Sequence, residues 1–199
     1  MLSHLFGIFI NPRAEWEKIR LADCTIGKCY CSFVFIMAAI APISGYIGTT
    51  TFGWEIGARE AIKLSTDSAM IIAISFYLVM LVGVFSMGAM IHWMGQTYGA
   101  EQPLSRCIRL AAYVATPLFL VGFVELFPIL WLNFVFGLPA LAYSVYLLYT
   151  GVPIMMEISE DRGFLFSSAV LAVGLVALVC MMVAMAILWG NGFAPQFVD

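Results

Sequence analysis

The chain has 199 residues, of which 63% are hydrophobic and only 11% charged. Soluble domains carry about 25% charged residues, so this composition cannot cover a water-facing surface and fits the bilayer as solvent. A net charge of −3 gives no basic field for nucleic acid, and nine Lys and Arg are too few for a polybasic lipid patch.

Residues 1–29 read as a cytoplasmic N-terminal segment. No cleavable signal peptide is read there: Leu5 to Ile10 is short, no Lys or Arg precedes it, and no small-x-small site follows. The first span then serves as its own insertion signal. Asn11 suits a helix N-cap, Pro12 the first helical position and Glu15 the first turn. Trp16, Ile19 and Cys24 follow at helical spacing, which predicts a short amphipathic helix on the membrane surface, anchored by Asn11, Pro12 and Trp16.

Residues 30–190 predict an all-α membrane domain of five spanning helices. The first runs from Tyr30 to Ile47 and contains Pro42. Thr49 to Asp67 is a polar connection, where Glu55, Arg59, Glu60 and Lys63 predict a short surface helix with little net gain from charge pairs. The second span is Ser68 to Met94, and the third, Arg106 to Leu126, holds Tyr113 and Pro117. A tight turn at Phe127-Pro128 leads to the fourth, Ile129 to Tyr149, with Pro139 inside it and a break expected at Gly151-Val-Pro153. The fifth is Phe166 to Gly190, followed by a non-cytoplasmic tail, 191–199. Arg13, Lys18, Arg20, Lys28, Arg106, Arg109 and Arg162 fall on the side of the N-terminus, against Arg59 and Lys63 on the other. Seven cations against two predict an N-terminus inside and a C-terminus outside.

Two features are candidates for chemistry. Glu125 is the carboxylate within an apolar run, a residue type that carries protons or ions when it faces a watery cavity and merely snorkels when it lies at a helix end. Tyr143, Tyr146 and Tyr149 form an oblique band at three-residue spacing on the fourth span. Such a band is either an interfacial aromatic belt or a ligand-facing surface, since a phenol in apolar surroundings needs a partner. Met80, Met87, Met90 and Met94 share a helix face and read as packing, with His92 pointing elsewhere; no metal is expected. Five cysteines at Cys24, Cys29, Cys31, Cys107 and Cys180 make no disulfide framework or zinc motif. The small residues Ala41 and Gly45, Ser168 and Ala172, and Gly83, Ser86 and Ala89 predict close helix approaches. No catalytic or nucleotide-binding motif occurs, so neither an enzyme nor a cofactor is expected.

The order Asn11-Pro12-x-x-x-Trp16, Tyr113-Val-Ala-Thr-Pro117 and Tyr143-x-x-Tyr146-Leu-Leu-Tyr149-x-Gly151-Val-Pro153 resembles the Yip1 domain family, especially its short bacterial members. The resemblance implies a five-helix domain with a cytoplasmic N-terminus in a bacterial inner membrane. Eukaryotic members act in vesicle traffic with Rab GTPases through a longer N-terminal region. Only about thirty residues precede the first span here, so that role is not carried over. The expectation is a non-enzymatic protein that binds membrane lipids, other membrane proteins or a second copy of itself. The alternative is a small transporter or channel using Glu125 and the tyrosines, with Pro42, Pro117, Pro128, Pro139 and Pro153 breaking helices near a central site; the absence of an internal repeat weighs against it.

Overall fold

A computed structural model describes residues 4–22, 25–54, 62–188, 190 and 195–198. Two short helices lead in, α1 (His4–Ile10) and α2 (Pro12–Leu21). Between them, the Asn11 side chain accepts the Ala14 N–H at 3.4 Å, and Pro12 begins α2, where its missing N–H costs nothing. The amphipathic helix forms as the sequence reads it, but its apolar face meets protein. Trp16 and Ile19 are fully buried. Trp16 lies against α7, where a Cβ on Gly151 would fall 2.6 Å from its ring, so glycine is what admits the indole.

The spans follow. α3 (Ile26–Phe52) contains wide π-type turns at Tyr30–Val34 and Gly48–Phe52 and a break at Ala39, three residues ahead of Pro42. A proline returns no N–H to the carbonyl four residues back, here that of Ala38, beside the break. α4 (Thr66–Thr97) begins where the Ser65 hydroxyl accepts the Ser68 N–H. α5 (Leu104–Val114) and α6 (Thr116–Leu126) meet in a 41° bend just before Pro117. After Phe127-Pro128 come α7 (Leu130–Met156) and α8 (Glu160–Leu188). Four helices are long and apolar enough to cross a membrane, or five when the bent α5–α6 pair counts as one span.

Pro139 and Pro153 depart from their expected role as breaks. α7 runs through both, and through Gly151, to Met156. Tertiary packing holds the helix where local chemistry alone would end it: Gly151 seats Trp16, and Gly163 of α8 seats the Pro153 ring. The helix ends instead at Glu157, which adopts left-handed φ 56° and ψ 45°. The Pro153 carbonyl accepts the Glu157 N–H and, at 3.1 Å, the Ile158 N–H, a Schellman-type close. The expected surface helix around Arg59, together with Cys24 and residues 191–194, lies outside the described residues.

α7 is the central element, packing on α2, α5, α6 and α8, while α3 packs on α4 and the end of α6. α4 crosses α5 at Gly88, where a Cβ would lie 2.7 Å from the Ile108 Cα. The expected contact at Gly83 is not made; open space surrounds that residue. Both are glycines on one helix, and the crossing point decides which is used. At the far end, β1 (Lys63–Leu64) pairs antiparallel with β2 (Phe197–Val198), which ties the C-terminal segment to the α3–α4 connection, opposite α1 and α2.

Candidate functional site

Each tyrosine of the α7 band has a different neighbour. Tyr143 donates to the Ile8 carbonyl at 3.0 Å and stacks on Phe9 with centroids 5.3 Å apart. The Tyr149 hydroxyl bonds the Ser168 hydroxyl at 2.8 Å, and its ring meets Phe164. Tyr146, between them, leans on Tyr143 and is 47% exposed. The outer tyrosines therefore tie α1 and α8 to α7, and the middle ring is left facing outward.

It faces a groove of about 820 Å³ between α2, α7 and the start of α8. Tyr146, Tyr149, Ile154 and Phe164 form its walls. Arg13, Glu17, Glu160 and Asp161 stand among the residues that line it. Arg13 approaches Glu160 at 3.7 Å with both side chains largely exposed, a pair that solvent weakens. Along α7, Tyr146 lies seven residues, about 10 Å, inward of Pro153. The groove thus runs from a charged mouth into apolar surroundings.

Charged and polar contacts fix α1 and α2 beside it. Glu157 accepts from Arg20 at 2.8 Å and from Arg106 at 3.1 Å, joining α2, α5 and the end of α7. The Arg20 hydrogen bond, opposed by slight desolvation and aided by Arg106, holds the Glu157 carboxyl below its ordinary range. Arg109, 5% exposed, donates to the Ile19 carbonyl at 3.2 Å and to the Ala22 carbonyl, closing the end of α2. Glu15 is buried, which by itself raises a carboxyl. Hydrogen bonds from His4 at 2.5 Å and Lys18 at 3.0 Å outweigh that and leave it lowered.

The other candidates lie apart. Tyr113 is 1% exposed and is the hub of the aromatic core, edge-on to His4 and Trp16 and tilted on Phe33 at 4.8 Å. Glu125, half-buried in the tight last turn of α6, bonds the Asn133 side chain. It borders a second cavity, of about 210 Å³, with Tyr46 and Thr49. Asn133 and Tyr143 are ten residues apart on α7, about 15 Å, so Glu125 and the tyrosine band are not brought together. His92 meets the Gln102 carbonyl at 2.8 Å. Cys29 and Cys107 are buried, and Cys31 and Cys180 exposed. No group of three metal-ligating side chains occurs among the described residues.

Sequence reasoning did not find the groove mouth or the Glu157 clamp. Arg20 and Glu157 are 137 residues apart, so no local pattern joins them. The count of seven cations, Arg20, Arg106 and Arg109 among them, pointed to that end of the bundle without pairing any of them.

The Yip1 domain family model matches residues 6–181. Inner membrane protein YohC of Escherichia coli strain K12 is 42% identical over 192 residues, covering 96% of this chain and 98% of that protein. YohC of Escherichia coli O6:H1, strain CFT073, matches with the same identity and coverage. No solved structure matches. A family match over most of its length, relatives aligned nearly end to end and helices of spanning length make this chain an integral membrane protein of the Yip1 domain family.

Proposed function

We propose that this protein is a non-enzymatic component of a bacterial inner membrane that binds membrane lipid in the groove beside α2. The observation that carries the reading is Tyr146, open between two tyrosines whose hydroxyls are already engaged. An amphipathic ring at the depth where charge gives way to apolar surface suits a lipid's headgroup–chain junction. A volume of about 820 Å³ falls within the range of ligand pockets, roughly 300–1,000 Å³. The groove end is the cytoplasmic end in this reading. It gathers Arg13, Lys18, Arg20, Lys28, Arg106, Arg109 and Arg162, against Lys63 among the described residues of the other end. Native mass spectrometry in a mild detergent tests the proposal: wild type retains phospholipid and Tyr146→Ala loses most of it. Equal retention by both, or none by either, overturns it.

A second reading rests on the cavity beside Glu125. A half-buried carboxylate bonded to Asn133 next to open volume is the arrangement an ion or proton path uses. Proteoliposome flux that Glu125→Gln abolishes supports it, and absence of flux in every condition removes it.

A further inference from the structure

We propose that the groove selects an aminophospholipid, a zwitterion carrying a primary ammonium beside its phosphate, over anionic phospholipids. The inference rests on the lipid-binding reading above and adds the headgroup. Its ground is the distribution of charge at the mouth. Glu17 is taken by Arg20 at 2.9 Å, and Glu157 by Arg20 and Arg106 together. What remains on the groove is Arg13 against Glu160 and Asp161, one cation facing two carboxylates. An anionic headgroup brings its phosphate to Arg13 but adds charge to a mouth that is already net negative. A zwitterion answers both signs: its phosphate meets Arg13, and its ammonium meets the carboxylates. The Arg13–Glu160 pair already sets a cation and an anion side by side, the separation that an ethanolamine spacer also holds.

The ammonium has more than charge to offer. A primary ammonium carries three N–H groups, which the Glu160 and Asp161 carboxylates on the groove accept. A quaternary choline has no N–H to give. It retains only attraction to the carboxylates and to the faces of Tyr146, Tyr149 and Phe164. The order expected is ethanolamine first, choline second, glycerol last.

The experiment uses the full chain, delipidated in mild detergent and titrated with equimolar dioleoyl phosphatidylethanolamine, phosphatidylcholine and phosphatidylglycerol. Native mass spectrometry reads the adducts. Phosphatidylethanolamine is retained over phosphatidylglycerol by about fivefold, the scale of one to two partly exposed charge contacts. Glu160→Gln with Asp161→Asn brings the ratio close to one while total adduct persists. Asp161→Asn alone gives an intermediate ratio and serves if the double variant is unstable. A wild-type preference for phosphatidylglycerol, or a ratio that neither variant moves, overturns the inference. The underlying reading fails separately: adducts that Tyr146→Ala does not reduce are not in this groove, whatever their headgroup.

Discussion

Side chains from α1, α2, α3 and α5 meet around Tyr113 at one end of the bundle. At the other end, α8 runs thirteen residues, Leu175 to Ile187, with every side chain exposed. Both regions are apolar by composition, and they differ in what satisfies them. At the Tyr113 end, aromatic contacts, a buried arginine and an ion-pair clamp hold two lead-in helices to the spans. The distal part of α8 satisfies its own backbone as a helix must in lipid and leaves its side chains to the acyl chains. Stability that depends on residue identity is therefore concentrated near α1 and α2. Function is most readily built at the same end, because polar groups there are held in place at the membrane boundary.

The largest effect that sharpens this contrast is at Trp16. Removing a fully buried indole costs roughly 3–5 kcal/mol, so Trp16→Ala should strongly lower the thermal midpoint in detergent. Trp16→Phe should cost less: it retains an aromatic ring and removes an indole N–H that has no partner among the described residues. Val179→Ala, in the exposed part of α8, should leave the midpoint within error. Equal effects at Trp16 and Val179 would erase the distinction between the two regions.

Next in size is Arg109, whose charged donors close the end of α2 on Ile19 and Ala22. Arg109→Met keeps much of the stem's volume and loses those bonds, at about 1.5–3 kcal/mol. Limited trypsin digestion at Arg13 and Lys18 should accelerate before the spans unfold. Digestion that accelerates only with global unfolding would show that α2 is not a separable unit. Smaller again is the tyrosine band: Tyr143→Phe and Tyr149→Phe each forfeit one hydrogen bond, about 0.5–1.5 kcal/mol, whereas Tyr146→Phe should not change stability. A destabilised Tyr146→Phe would mean that its hydroxyl is structural after all.

What the sequence revealed follows the range of each interaction. Span positions depend on run length, a local property, and α4 appears within a few residues of where apolar content places it. The disturbances at Pro42 and Pro117 were legible because a missing N–H acts four residues back. Pro153 obeys the same rule and yet does not end α7, because Trp16 and Gly163 pack around it from distant parts of the chain. The amphipathic pattern of α2 announced an apolar face without announcing its partner, since lipid and protein interior present the same hydrophobic signal. The tyrosine band was visible as a spacing. Its division into two tethers and one open ring was not, because Ile8 lies 135 residues from Tyr143 and Ser168 on another span. Arg13 and Glu160 line one groove from positions 147 residues apart, and no local pattern joins them.

A further modest effect separates the two ends by solvent condition. Glu157 has its carboxyl lowered chiefly by Arg20, and Glu15 is lowered by His4 and Lys18 against the cost of burial. A group whose folded value is depressed stabilises the fold above its unfolded value, near 4.3 for glutamate, and loses that contribution as pH falls through the folded value. Acidification below about pH 4.5 should therefore loosen α1 and α2 first, because the distal part of α8 carries no such carboxylate. Glu157 is partly exposed and its arginines are screened, so each of its pairs is worth about 0.2–1 kcal/mol. Hydrogen exchange followed from pH 6 to pH 3.5 should show exchange, relative to the intrinsic rate at each pH, rising in α2 before α8. Glu157→Gln should flatten part of that rise while leaving exchange near pH 6 only slightly raised. The left-handed backbone at residue 157 is strained for glutamate and free for glycine, so Glu157→Gly should lose the same pH dependence at a lower cost than Glu157→Ala. If Glu157→Ala and Glu157→Gly are equally stable, the residue is held by its arginines and the left-handed turn is incidental; if glycine is better, the clamp works against backbone strain that it must overcome.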